Sequence, residues 1–231
     1  MATENLLKIL TQNGIGSRRK MADAIKAGRV QVNWETAESF KQAVDVTKDV
    51  IALNGEVVTG AAQRTVHLLM NKPKGVLSTA ADDQGRQTVM DILPKKYKNL
   101  RLYPAGRLDK DSSGLLLLTN DGELTYRLTH PSFKHKKIYD VYIKGTLAAF
   151  EMKKLATGVK LEDGMASVVA INRLEGKAPY NYSVTLHGGR KRQIRRMLAA
   201  LGHQVIELKR VRLGNFTLGS LKEGEIKEIE V

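Results

Sequence analysis

The stretch Gly106-Arg107-Leu108-Asp109-Lys110-Asp111-Ser112-Ser113-Gly114-Leu115-Leu116-Leu117-Leu118-Thr119-Asn120-Asp121-Gly122 decides how the rest of the chain is read. Four consecutive leucines do not alternate, so they do not suit a half-exposed strand. A short unbroken apolar run bounded by turn residues reads as a buried strand, and Asn120-Asp121-Gly122 ends it. Ahead of the strand lies a polar loop in which Asp109 stands between Arg107 and Lys110. Gly106 and Gly114 leave room for another backbone to approach. A carboxylate among cations, on a loop anchored to rigid structure, suits a catalytic acid held ionised. Taken alone, the same residues also read as a surface turn with neutralised charge.

Working outward, strands and helices alternate. Thr65–Met70 reads as a strand running into the loop Asn71-Lys72-Pro73-Lys74-Gly75. Val89–Leu93 reads as a short helix closed by Pro94. Ile138–Ile143 alternates as a strand and stops before Gly145. Tyr180–Leu186 is a further strand, with Gly188-Gly189 as a turn. Lys191–Leu201 is a helix capped by Gly202, and Val205–Leu213 closes as a strand. The first 60 or so residues form a unit of their own. Leu6, Leu7, Ile9 and Leu10 make the stripe of a short helix stopped at Asn13-Gly14. Ser17 caps a second helix ending at Gly28, and Val30, Val32 and Val50–Leu53 read as strands with an Asn54-Gly55 turn. Gly60-Ala61-Ala62-Gln63 reads as a linker, giving domains over 1–60 and 65–231.

The chain has 231 residues, with 38 Lys and Arg against 24 Asp and Glu, a net charge of +14. Most of the excess lies after residue 64, where 29 basic residues face 17 acidic ones. Two basic stretches stand out, Ser17–Arg29 and Gly189–Arg212. Such a balance points to a polyanionic partner, with a merely basic soluble enzyme as the alternative. There is no cysteine, which excludes disulfides, thiolate metal sites and a cysteine nucleophile, and fits a reducing compartment such as the cytoplasm. The five histidines show no metal-ligand spacing, and no phosphate-binding or dinucleotide glycine motif occurs. No signal peptide or membrane span is read, so no membrane partner is expected.

Four segments carry resemblances to known families. GIGSRRKMADAIKAGRVQVN, residues 14–33, within the span 4–58, resembles the S4 RNA-binding domain. Its second helix begins with Arg18, Arg19 and Lys20, which put cations at the positive end of the helix dipole; Lys26 and Arg29 follow. A charge run alone reads rather as a solvated face; the surrounding pattern tips it toward RNA. Trp34-Glu35 stands where that domain often has a tight Asn-Gly turn, so a remodelled loop is expected. Then GRLD, followed by SGLLLLTNDG, resembles the central motif of RNA pseudouridine synthases of the RsuA/RluB type, whose catalytic aspartate maps onto Asp109. Lys137-Ile138-Tyr139-Asp140-Val141 matches the context of that family's active-site tyrosine, mapping it onto Tyr139. Gly189-Arg190-Lys191-Arg192-Gln193-Ile194-Arg195-Arg196-Met197 matches its arginine-rich helix. One arginine of that pattern pairs with the catalytic aspartate, a role mapped onto Arg195. Arg190, Arg192 and Arg196 are then RNA contacts, together with Arg107 and Lys72 of the NKPKG loop.

The resemblance implies an α+β chain: a small S4 domain, then a catalytic domain with a mixed, largely antiparallel sheet flanked by helices. It implies isomerisation of a uridine to pseudouridine in ribosomal RNA or a ribosomal particle, by a monomer needing neither cofactor nor metal. The LLLLTNDGEL run leans toward the large-subunit enzymes of the branch. Tyr139 would stack on the uracil. A non-catalytic S4-type RNA-binding protein acting in ribosome assembly or rescue is the competing reading. It explains the charge but not Asp109, Tyr139 and Arg195.

Overall fold

The computed structural model describes residues 3–58 and 63–231. The chain divides into two compact units, Met1–Thr65 with Asn99–Arg101 and Val66–Lys98 with Leu102–Val231. Residues 60–62 of the expected linker lie outside the described residues.

The first unit holds β1 (Thr3–Asn5), α1 (Leu6–Gln12), α2 (Arg18–Lys26), β2 (Val30–Val32), β3 (Glu35–Thr36), β4 (Ala43–Asp45), β5 (Ile51–Leu53) and β6 (Glu56–Val57). Both helices start where the sequence offers a cap. Asn5 Oδ1 accepts from the Leu7 and Lys8 N–H groups, and Ser17 Oγ accepts from the Lys20 N–H at 3.1 Å. Leu6, Leu10, Met21, Ile25, Val30, Val44 and Ile51 form its core. Arg18, Arg19, Lys20, Lys26 and Arg29 are all exposed. The β2–β3 hairpin corrects the remodelled loop expected at Trp34. Asn33 and Trp34 make a two-residue turn, with φ of 52° and 71°. Trp34 takes the left-handed conformation usually left to glycine. Asn33 is held on both sides, donating to the Asp49 carboxylate and accepting from the Val50 N–H.

The second unit is built on one mixed sheet. Its elements are β7 (His67–Lys72), β8 (Tyr103–Pro104), β9 (Ser113–Thr119), α3 (Gly122–Thr129), β10 (Lys136–Ile143), α4 (Ala149–Thr157), β11 (Val159–Leu161), β12 (Gly164–Ala166), β13 (Ala170–Arg173), β14 (Tyr182–His187), α5 (Gln193–Ala199), β15 (Val205–Leu213), β16 (Phe216–Thr217) and β17 (Ile226–Ile229). The order across the sheet is β13-β14-β10-β15-β9-β7-β17. Among the described residues, β9 and β15 are its parallel pair; the other pairs are antiparallel.

The four leucines explain the position of β9. Leu115, Leu116, Leu117 and Leu118 are fully buried at the sheet centre. Leu115 and Leu117 pack with Leu69, Leu213 and the inward face of α3, Leu124 and Leu128. Each such burial stabilises by roughly 1.5–3 kcal/mol. Gly114 sits where β9 meets β15: a Cβ there would lie 2.3 Å from the Arg210 carbonyl oxygen, and its φ is +105°. Only a residue without a side chain lets the parallel pair close.

Val89–Leu93 is a run of turns rather than the expected helix. Asp91 competes with the helical backbone, its carboxylate accepting from both the N–H and the hydroxyl of Thr88. The arginine-rich helix is shorter than its pattern. Arg192 is left-handed (φ 52°) and precedes the helix, and Ala200, not Gly202, is its C-cap.

Candidate active site

A cleft of about 640 Å³ opens in the second unit beside the Gly106–Ser112 loop. Asp109 lines it, with Tyr139 from β10 and Arg210 from β15. Strand periodicity sets this arrangement. Lys137 and Tyr139 are two residues apart on one strand and face the cleft together, and Tyr139 is paired in register with Arg210. Tyr139 is buried, 8% exposed, and lines the cleft. Leu186, Ile194, Leu208 and Leu213 complete an apolar lining suited to a flat ring.

Asp109 is half-buried, and its carboxylate has no hydrogen bond or ion pair among the described residues. Its backbone carbonyl accepts from the Ser112 N–H at 3.1 Å, which folds the loop into a tight turn. The neighbouring Lys110 carbonyl accepts from the Gly75 N–H at 2.8 Å, tying this turn to the loop after β7.

The expected pairing of Arg195 with Asp109 is corrected here. Arg195 meets Asp111: one Nη donates to the Asp111 carbonyl at 2.9 Å, and Nε lies 3.3 Å from its carboxylate. The other Nη donates to the Val205 carbonyl at 2.9 Å. The tight turn is the reason, since it carries the side chain of Asp111 toward the start of α5. Arg192 joins from the same side with two 2.8 Å bonds to the Asp111 carboxylate. The Arg192 guanidinium holds the Asp111 carboxyl below the usual carboxylate range; partial burial opposes this and Arg195 adds to it. Burial pushes Arg195 down and the Asp111 charge restores part of that.

Lys72 is also corrected. It is fully buried, so it has no surface to offer an RNA. Its Nζ donates to the carbonyls of Pro73 at 2.7 Å and Val76 at 2.8 Å, shaping the loop that carries Gly75. Burial lowers its pKa to about 8 against the pull of Asp109 and Asp111. Lys137 is lowered too, by burial first and then by Arg210. Arg210 is 2% exposed; it donates to the Leu115 carbonyl at 2.8 Å and reaches the Arg107 carbonyl at 3.4 Å.

This constellation matches a known family over most of the second unit: residues 66–200 fit the model described as RNA pseudouridylate synthase. The chain belongs to that family. It is a pseudouridine synthase of the RsuA/RluB-like type, an isomerase. A Bacillus subtilis relative named ribosomal large subunit pseudouridine synthase B is 40% identical over 98% of this chain and 92% of its own length. One of the same name from Vibrio cholerae is 38% identical over 98% of this chain and 73% of its own. A crystal structure titled as a pseudouridylate synthase superposes with a TM-score of 0.66 at 28% identity, covering 98% of this chain and 96% of the other. The non-catalytic alternative finds no support in these likenesses.

The other second-unit arginines expected to contact RNA divide into two groups. Arg107 is exposed at the cleft rim. Arg190 and Arg196 are instead engaged with the β11–β12 hairpin. Arg190 donates to the Asp163, Gly164 and Met165 carbonyls, and Arg196 makes two 3.0 Å bonds to the Asp163 carboxylate. The sequence reading assigned no role to Asp111, Lys137 or Arg210. Two of them were legible in part. Lys137 lies two positions before Tyr139 on an alternating strand, and Arg210 falls in the second basic stretch. Asp111 gave no signal apart from its distance of two residues from Asp109. Among the described residues no three His, Asp or Glu side chains gather as a metal site, and no helix is long and apolar enough to cross a membrane.

Proposed function

We propose that this synthase isomerises a uridine of large-subunit ribosomal RNA, with Asp109 starting the reaction. The half-buried Asp109 carboxylate, unpaired among the described residues and lining a cleft with Tyr139, carries this reading. The names of the Bacillus and Vibrio relatives support the substrate class. The bond from N1 of the uracil to the ribose breaks, and a bond from C5 to the same sugar carbon forms. C5 loses a proton and N1 gains one, so nothing is oxidised and no group leaves. Three routes are open to Asp109: attack on the sugar, attack on the ring, or removal of a sugar proton.

Tyr139 stacks on the extruded base, and the apolar walls exclude water around it. Extrusion costs a few kcal/mol, which cationic contacts to the backbone offset. Arg107, exposed at the rim, supplies such a contact. Arg195 is a positioning residue that acts on Asp109 through Asp111. The first unit is an S4 RNA-binding domain. Arg18, Arg19, Lys20, Lys26 and Arg29 are exposed on it, with no ion pair among the described residues.

The test is carbodiimide mapping of a large-subunit ribosomal RNA transcript after incubation with the protein. One new modified uridine, absent with Asp109→Asn, is the expected outcome. A transcript left unmodified by the wild type, alone and as assembling particles, would overturn the substrate class.

A further inference from the structure

Helix α3 has two faces with different uses. Leu124 and Leu128 point into the core, while Tyr126 on the other face and His130, the residue that caps the helix, are exposed. Tyr126 is 54% exposed, and Phe133, in the turn that follows, is 44% exposed. The rings form one cluster. Tyr126 lies 4.8 Å from His130 and 5.8 Å from Phe133, edge to face, and Phe133 stacks on His135 at an interplanar angle of 18°. His130 is fixed by a 2.7 Å contact to the Ser132 hydroxyl. A cluster of large rings left in water, on a rigid helix and turn, marks a contact surface.

Two further observations identify what it contacts. Arg127, Lys134 and Lys136 stand beside the ring residues in sequence, all exposed and without an ion pair among the described residues. The segment also borders the cleft: Leu128 and Thr129, between Tyr126 and Phe133, and Lys137, after them, line the cleft that holds Asp109. Rings next to exposed cations, continuous with a site that takes one nucleotide, fit the bases next to that nucleotide. A protein partner would be expected to neutralise such cations with its own carboxylates, and nothing at the cleft rim calls for one.

We propose that Tyr126 and Phe133 form a stacking platform for unpaired bases of the substrate RNA adjoining the target uridine, with Arg127, Lys134 and Lys136 on its phosphates. This rests on the RNA-modifying reading above. Stacking is tolerant of base identity, so the platform holds the strand and does not choose the uridine.

The test uses the full chain and a large-subunit ribosomal RNA transcript tritiated at uridine C5. Affinity is read by filter binding and turnover by tritium release. Replacing Tyr126 and Phe133 together with Ala should weaken affinity and raise KM by roughly ten-fold or more. The single-turnover rate at saturating RNA should stay within about two-fold of wild type. Tyr126→Phe with Phe133→Tyr should restore affinity. The aromatic variant should keep the wild-type salt dependence, whereas Ala at Arg127, Lys134 and Lys136 should make it shallower. Affinity unchanged in the double variant overturns the platform, as does a change in its solution mass, which would assign the patch to another protein surface. A wild type that binds the transcript but releases no tritium counts against the substrate reading, and the affinities still decide the platform.

Discussion

Arg195 holds Asp111, two residues beyond Asp109, at both its carbonyl and its carboxylate. The same guanidinium donates to Val205 at the start of β15. The loop that carries Asp109 is therefore fastened to two elements of the catalytic unit, α5 and β15, by one side chain. Gly75 fastens it from the other side through the Lys110 carbonyl.

Arg195→Lys should therefore uncouple charge from geometry. An ammonium cannot reach two carbonyls and a carboxylate at once. The single-turnover rate should fall about a hundred-fold through misplacement of Asp109, with RNA affinity changed little. Urea unfolding should show a loss of about 2–4 kcal/mol, from bonds made by a charged donor. Full activity in this variant would show that the fastening is unimportant.

Asp111→Asn separates the two arginines. The Arg192 pair is about 40% exposed on both sides, so its loss should cost stability at most about 1 kcal/mol. The Arg195 bond to the Asp111 carbonyl survives. Turnover should therefore fall less than in Arg195→Lys, and equal losses in single-turnover assays would contradict this division.

Lys72 gives a pH signature. Its pKa falls from 10.5 to about 8 on folding, so the unfolded chain binds more protons between those values. Stability should then rise as pH increases from about 8 toward 10.5, by at most about 3 kcal/mol from this group. Below pH 8 the cost of a buried ammonium is fully present. Comparing unfolding free energies of wild type and Lys72→Met across this range isolates the effect. The variant should lack the rise, and parallel curves would mean that Lys72 is not desolvated.

Gly114→Ala should be severe. Its Cβ would meet the Arg210 backbone at 2.3 Å, and φ is +105°. A loss of about 3 kcal/mol or more in denaturant unfolding is expected. A change under about 0.5 kcal/mol would mean that β9 and β15 can separate without cost.

The strands of the catalytic sheet were legible where hydrophobic pattern alone sets them. Val205–Leu213 matches β15, and the four leucines became the buried centre of β9. The family resemblance brought the mixed, largely antiparallel sheet, which spacing only permits. Helix α3 was missed because its apolar positions are just Leu124 and Leu128, with the outward face given to rings. Val89–Leu93 looked helical by composition, yet side-chain bonds from Asp91 hold it as turns. A charge next to Pro and Gly reads as a surface cation, yet Lys72 ends the buried strand β7, where its ammonium is satisfied by the Pro73 and Val76 carbonyls. The partner of Arg195 depends on the turn at Asp109, where a two-residue difference in sequence sends neighbouring carboxylates to different places.

Asp109→Asn, assayed for pseudouridine in the large-subunit ribosomal RNA transcript, tests the central claim most directly. The amide keeps the size of the side chain and removes the carboxylate that starts the reaction. RNA affinity should stay within a few-fold of wild type, or improve as repulsion from phosphate is lost, while pseudouridine formation disappears. Pseudouridine made by this variant at a substantial fraction of the wild-type single-turnover rate would contradict the assignment of Asp109.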